Sequence, residues 1–278
     1  RAQNGALGSA DAREEVLSEV EGVINGLSDT GISSSLDNVY NAWQTLSKSP
    51  EVASTRTVVS QQSKVLTDQL NSTYNQLVKL KGNAQDVIKQ DVVDINSMLD
   101  QVNQLNQQVI NVKISGAQPN DLMDKRDLLL DQLSVKFGIT IDKKTLSGED
   151  LKPTDSGGMD NAYLVKSNPN DEVNRFSYVS SIVPTTGVTG SYDVTYYKGG
   201  DTTSDANKVT MTMALSKDQY TSLDQGRVLW ADKEGYAIDK SGSRLAGTEF
   251  SKSDSTDGTA ILAVDGGDAA DTSSYELF

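Results

Sequence analysis

The chain has 278 residues with 39 acidic and 25 basic side chains, a formal net charge of −14, and neither histidine nor cysteine. Without those two residue types it cannot build Ser-His-Asp or Cys-His nucleophile systems, CxxC redox sites, or thiolate and imidazole metal sites. The acidic balance, with no long run of Lys and Arg, argues against nucleic acid and anionic membranes as partners, and the length favours two separately cored units.

The two ends of the chain suggest a segment of a longer protein. The first residues, RAQNGALGSADAREEV, contain neither an initiator Met nor the apolar core of a signal peptide, and the last, SSYELF, close on apolar residues. No stretch reaches the roughly 18 apolar residues that are needed to span a bilayer. We therefore expect both native termini to lie outside this sequence, and we expect no membrane-spanning segment.

Apolar residues at helical spacing predict two amphipathic helices near the start of the chain. The first covers about residues 6–27, with residues 28–31 as its stop. The second follows N-cap hydroxyls offered by residues 33–35 and ends before Pro50. Its apolar face consists of Leu36, Val39, Tyr40, Trp43 and Leu46. We expect this face to pack against another element.

A long periodic segment follows from about Glu51 to Val112 and predicts a helix of about 60 residues. In its final part apolar residues recur at alternating steps of three and four, which is the spacing of a narrow coiled-coil seam. The seam consists of Ile95, Met98, Val102, Leu105, Val109 and Val112. The low helix propensity of Lys81-Gly82-Asn83 and a phase slip after Ile88 predict one bend or break nearby.

Amide side chains occupy outer positions beside this seam. They are Asn103, Gln104, Asn106, Gln107 and Gln108. We expect them to form an outer hydrogen-bonding surface, which is either a solvated helix face or a surface on which neighbouring subunits pack.

A shorter helix is predicted to begin at Pro119, with Asp121 and Asp124 near the positive end of its dipole. Its inward residues are Leu122, Leu129 and Leu133. Arg126 falls on the edge of that inward face. Either its stem is buried and its guanidinium meets a carboxylate, or it is an ordinary surface arginine, and the sequence leaves both alternatives open.

Beyond Phe137 the apolar pattern changes to a period of two, interrupted by Gly, Asp, Asn, Ser and Pro turns. The alternating runs are FGITID, NAYLVKS, NRFSYVSSIV, GSYDVTYY, KVTMTMAL, GRVLWAD and GYAID. They predict mostly antiparallel strands, with tight turns at 234–235 and 241–242 and with Trp230 and Tyr236 in the core. The expected fold class is α+β, with an elongated, coiled-coil-like helical domain over residues 1–137 and an antiparallel β-rich domain over 138–278.

The sequence contains few candidate residues for catalysis or for binding a metal or cofactor. Oxygen-rich loops that could attract calcium occur at Asp254, Asp257, Asp265, Asp268 and Asp271. They lack the alternating acids, glycine and terminal Glu of an EF-hand loop, so solvated turns are the favoured interpretation. There is no P-loop, no GxGxxG after a strand and no GxSxG elbow. We therefore nominate no catalytic, cofactor-binding or metal-binding residue, expect no cofactor, and do not expect an enzyme.

Three blocks of the chain carry a family resemblance. They are ISSSLDNVYNAWQTLSKSPEVASTRTVVSQQSKVLTDQLNSTYNQL, INSMLDQVNQLNQQV and PNDLMDKRDLLLDQLSVKFGITI. In order and spacing they resemble the FlgK family, the first flagellar hook-associated proteins, across about Leu7 to Ile141. The block from Pro119 to Leu133 is the most specific. For the strand-rich half the resemblance implies only an outer domain inserted into a helical one.

The resemblance implies an extracellular structural protein of the bacterial flagellum, exported through the flagellar channel, which joins hook to filament and allows the filament to assemble. The implied partners are the hook protein, the next junction protein with the filament, further copies of the protein in a ring, and an export chaperone acting through a missing terminal segment. In the family the chain later returns to complete the helical bundle. We therefore expect this chain to expose an apolar seam and to be monomeric in dilute solution.

Two other classes of protein stay open. A secreted glycan-binding or adhesive protein with a helical stalk would carry exposed Trp or Tyr on a concave strand face, so a buried Trp230 would count against it. A signalling coiled coil would need membrane spans or an output domain, and the sequence contains neither.

Overall fold

The computed structural model describes residues 2–25 and 31–245, in which helices come first and antiparallel strands follow. The helices that precede the strands are α1 (Ala2–Asn25), α2 (Ile32–Lys48), α3 (Ala53–Ile114) and α4 (Asn120–Lys136). The strands are β1 (Ile139–Lys143), β2 (Glu149–Pro153), β3 (Arg175–Pro184), β4 (Ser191–Tyr197), β5 (Lys208–Ala214) and β6 (Val228–Ala231), with α5 (Lys217–Gly226) before β6. The α+β fold class is thereby confirmed.

The strands form two sheets. β1 and β2 make a two-stranded antiparallel sheet in which Ile141 lies opposite Leu151. The other four strands make an antiparallel sheet in the order β5-β4-β3-β6, where Phe176 of β3 lies opposite Trp230 of β6. The register of β3 against β4 shifts by one residue near Ser180, which is the signature of a β-bulge.

The chain divides into two compact units. The helix unit is Ala10–Asp86, and the sheet unit is Arg1–Ser9 with Val87–Phe278, of which residues 2–9 and 87–245 are described. The secondary structure changes from helix to strand between residues 136 and 139, close to the domain boundary expected from the sequence. The units do not divide there, because the second part of α3 and all of α4 share a core with the strands.

The core of the sheet unit has two layers on opposite faces of the four-stranded sheet. On one face Phe176 and Trp230 pack against apolar residues of α3, α4 and the two-stranded sheet. On the other face Val179 and Leu229 join residues of β4, β5 and α5. Alternate side chains of a strand point to opposite faces, so a strand covered on both sides is apolar at successive positions. β6, Val228–Ala231, is buried along its whole length for this reason.

Several local predictions need correction. α2 begins at Ile32 with Gly31 as its N-cap, so the serines expected to cap it, at 33–35, lie inside its first turn. α3 is helical without interruption through Gly82, so of the predicted bend or break a break is excluded. The runs NAYLVKS and GYAID contribute isolated bridges rather than strands, although Gly235 and Gly242 adopt the positive φ that their tight turns require. The predicted stop after the first helix falls mostly at residues outside the described part.

The predicted outer amide surface is wrong for two of its members. Asn106 is fully buried, and its side chain bonds to the backbone of Glu149. Gln107 donates a hydrogen bond from Nε2 to the carbonyl oxygen of Ser167 at 3.0 Å. Both amides bind strand-side backbone that is distant in sequence, and helical periodicity carries no information about such partners.

α5 was not predicted, yet its start carries a recognisable signal. Ser216 accepts a hydrogen bond from the backbone of Gln219, and Gln219 accepts one from the backbone of Ser216. This reciprocal capping box satisfies two backbone donors at the helix N-terminus. The Ser-x-x-Gln spacing at residues 216–219 is the sequence signal that marks the start of this helix.

Candidate assembly surfaces

The described residues present no centre for metal chemistry and no membrane span. Across residues 2–25 and 31–245, no three acidic side chains come together in a way that could hold a metal ion. No helix in the same part of the chain is long and apolar enough to cross a membrane. The acidic clusters from Asp254 to Asp271 lie outside the described residues.

Arg126 is buried, which decides between the two alternatives that the sequence left open. Its side chain is 1% exposed, and Nη2 lies 3.2 Å from Oε1 of Glu149. Nη1 donates to the side-chain oxygen of Asn106 at 3.0 Å and to the carbonyl oxygen of Ser147 at 2.8 Å. One guanidinium thus ties α4 to α3 and to the start of β2. Because the Arg126 charge is buried and bound to these partners, it stabilises the packing of these elements and is inaccessible to a ligand.

Half of the described aromatic residues of the sheet unit are buried, and the others are half-buried. Trp230 is 1% exposed, and its ring lies 5.0 Å from that of Phe176. Tyr236, which the sequence placed in the core, is only half-buried. The centre of its ring lies 4.6 Å from Lys198 Nζ and 4.3 Å from Arg244 Cζ. Burial raises the pKa of the neighbouring Tyr196 hydroxyl, which keeps it neutral. Among the described strands, Trp230 therefore offers no exposed platform for a sugar ring.

Three of the five residues on the predicted apolar face of α2 are exposed. Leu36, Tyr40 and Trp43 lie at successive positions of one helix face and are 56%, 64% and 56% exposed. Isolated apolar residues on a surface are normal, but three large ones on a single face form a contiguous patch. The sequence predicted that this face packs against another element. Val39 and Leu46 of the face are half-buried, whereas Leu36, Tyr40 and Trp43 are largely uncovered within the described chain.

The helix unit contains little core of its own. Its described buried residues are Gly31, Ser35, Ala42, Val59 and Thr73. Further exposed large apolar residues of the unit include Val16, Leu17, Ile24, Val58, Val65, Leu70, Tyr74 and Val78. A helix with so much exposed apolar surface gains stability when another apolar surface covers it.

The sheet unit also has a surface groove, formed between α3 and α4. Its volume is about 520 Å³, and Met98 and Val135 supply its main apolar surface. The other lining residues are Asp94, Ser97, Gln101, Gln132 and Lys136. Val135 is 56% exposed, and Leu128, one heptad earlier on α4, is 60% exposed.

Comparison with known proteins identifies relatives of one kind. A family model described as the helical domain of flagellar hook-associated protein FlgK matches residues 17–157. Flagellar hook-associated protein 1 of Bacillus subtilis (strain 168) is 34% identical over 151 residues, which is 54% of this chain and 30% of that protein. The protein of the same name from Salmonella typhimurium (strain LT2) is 28% identical over 142 residues, which is 50% of this chain and 25% of that protein. The match therefore spans less than a third of either relative.

A solved structure shows a weaker likeness. It is described as the flagellar hook junction protein FlgK from Burkholderia pseudomallei, and it aligns with a TM-score of 0.48 and 20% sequence identity. The alignment covers 74% of this chain and 37% of that structure. The family assignment depends on the sequence matches.

Proposed function

The chain belongs to the FlgK family of flagellar hook-associated proteins, and on this premise we propose that it is part of a structural protein that joins the flagellar hook to the filament and allows the filament to assemble. The observation that carries the proposal is the match of the FlgK helical-domain model to residues 17–157, about half of the chain. The described residues supply a helical framework with exposed apolar faces, which suits a subunit that is completed by assembly.

The proposed partners follow from that role. They are the hook protein on one side, the next junction protein and the filament on the other, and further copies of the same protein in a ring. The exposed residues Leu36, Tyr40 and Trp43 support an assembly role, since they offer apolar area that nothing in the described chain covers. We expect the protein to be extracellular, to be exported through the flagellar channel with a chaperone, and to have no enzymatic activity. The isolated chain is expected to be monomeric.

The competing proposal of a glycan-binding protein with a helical stalk receives less support. It predicted an exposed Trp or Tyr on a concave strand face, whereas Trp230 is buried against Phe176 and the tyrosines of the described strands are buried or half-buried. The exposed Trp43 lies on a helix rather than on a strand. A glycan array probed with the chain would revive this alternative if it gave saturable binding that Trp43→Ala abolished.

The test of the junction role is deletion of the gene for the complete protein, followed by electron microscopy of the cells and an assay of flagellin in the medium. Bare hooks with flagellin lost to the medium are the expected result, whereas normal filaments would refute the proposal.

Complementation then asks whether the α2 face matters to assembly. Leu36→Ser, Tyr40→Ser and Trp43→Ser are combined in one variant, and the matched control combines Asp37→Ser, Asn41→Ser and Gln44→Ser on the exposed polar side of the same helix. The apolar variant should restore fewer filaments than the polar control. If both variants restored filaments equally, the α2 face would not be part of the assembly surface, and the proposed junction role would be unaffected.

A further inference from the structure

Two asparagines on α3 each bind both backbone groups of a single strand residue. Asn96 donates from Nδ2 to the carbonyl oxygen of Phe176 at 2.8 Å, and its Oδ1 accepts from the Phe176 amide at 3.0 Å. Asn106 makes the same pair of bonds with Glu149, both at 2.9 Å. Asn96 is 9% exposed and Asn106 is fully buried. A side-chain amide that pairs with a peptide group in this way reproduces the bonding of a neighbouring strand.

A glycine allows the backbone to approach α3 closely near each asparagine. At Gly148, which precedes Glu149, an added Cβ would lie 2.9 Å from the side chain of Ser167 and 3.2 Å from that of Ile110 on α3. At Gly200, which has a φ of +79°, an added Cβ would lie 3.0 Å from the side chain of Val92. A side chain at either glycine would therefore require neighbouring atoms to shift, and at Gly200 it would also be strained by the positive φ.

Each contact also has its own ion pair. Near Asn106, the buried Arg126 pairs with Glu149. Near Asn96, the Arg175 guanidinium pairs with Asp100 of α3 at 2.6 Å. The two contacts therefore repeat one design, consisting of an asparagine, a close backbone approach and an arginine, with separate residues at each.

We infer that Asn96 and Asn106 are two independent positioning residues, each fixing the register of one sheet on α3. Asn106 holds the two-stranded sheet through the first residue of β2, and Asn96 holds the four-stranded sheet through β3. Ten residues of helix separate them, a rise of about 15 Å. Because each asparagine bonds to the backbone of a different sheet, loss of one leaves the hydrogen bonds of the other in place. This inference goes beyond the proposed function and does not depend on it.

The test is amide hydrogen exchange in the full chain, read at the amides of Phe176 and Glu149. Asn96→Ala should speed exchange at Phe176 by about tenfold to a hundredfold, since a buried backbone group that loses its partner destabilises the closed state. Exchange at Glu149 should change less than about twofold. Asn106→Ala should give the reverse pattern. Gln108→Ala, at an exposed position of the same helix, is the matched control and should leave the exchange rates of both amides unchanged.

A second measurement needs no substitution and covers the case in which a variant fails to fold. In the unsubstituted chain, exchange at the two amides is followed at increasing sub-denaturing concentrations of denaturant. Independent positioning predicts openings with different denaturant dependence for Phe176 and Glu149. A single common opening for both amides, or equal acceleration of both by either alanine variant, would overturn the inference.

Discussion

The two compact units bury their helices to very different extents, although the apolar spacing of the sequence is similar in both. In the sheet unit, Ile95, Val102 and Val109 of α3 are nearly inaccessible to solvent. In the helix unit, Tyr40 and Trp43 of α2 are more than half exposed. Helical periodicity thus marks the side of a helix that is suited to packing. Whether that side is covered depends on a partner, which the sheet unit contains and the described helix unit lacks.

The sharpest test of this contrast uses the two tryptophans, one in each unit. Trp230→Ala should lower the free energy of unfolding of the sheet unit by about 3–5 kcal/mol, because it leaves a cavity beside Phe176. Trp43→Ala should change stability by less than about 0.5 kcal/mol, since most of that side chain already lies in solvent. Urea denaturation followed by far-UV circular dichroism measures both. Equal losses for the two variants would contradict the contrast.

Arg126 tests whether the core of the sheet unit depends on its buried charge. Arg126→Met removes the cation that pairs with Glu149 and should destabilise the sheet unit by about 3–5 kcal/mol. In a Trp43→Phe background, Trp230 fluorescence during urea denaturation reports on this unit alone. Lys125→Met, at the exposed neighbouring position, is the control. A loss below about 1 kcal/mol for Arg126→Met would mean that hydrophobic packing alone holds the unit together.

Two glycines of α1 should respond in opposite ways to the same substitution. An added Cβ at Gly8 would lie 2.2 Å from the carbonyl oxygen of Val135, whereas at Gly22 it would meet nothing within 4 Å. Gly8→Ala should therefore destabilise the sheet unit by about 1–3 kcal/mol through overpacking. Gly22→Ala should stabilise α1 by about 0.5–1 kcal/mol through helix propensity. Thermal unfolding of the two variants would separate these effects, and stabilisation by both would show that α1 does not pack on α4 at Gly8.

The smallest expected effect concerns a surface loop of the sheet unit. Hydrogen bonds from the side chain and backbone of Thr203 lower the pKa of Asp201 below its usual value of 3.8. At pH values above 3.8 the ionised carboxylate therefore stabilises the loop. This stabilisation is lost as the pH falls through the lower pKa of the folded state. The amide of Thr203 should lose protection in acid, and Asp201→Asn should abolish this pH dependence. Asp205→Asn, nearby in the same loop, should leave it intact.

Much of the secondary structure could be predicted from the sequence. The long helix expected over 51–112 is α3, Ala53–Ile114, and five of the alternating runs coincide with β1, β3, β4, β5 and β6. The family resemblance, stated from blocks across residues 7–141, agrees with the match of the family model to 17–157. These features depend on contacts between residues close in the chain or on spacing along one face, and the order of residues records both directly.

Other features were decided by tertiary structure alone. Asn96 and Asn106 are polar residues set among buried apolar residues on one face of α3. Their hydrogen-bonding partners are backbone groups 80 and 43 residues away in the chain. Leu36 and Trp43 belong to an apolar face, and they are exposed because no described element covers them. The sequence by itself determined most of the helices and strands and which helix faces are apolar. Burial depends on partners that are distant in the chain, so only the folded arrangement could decide it.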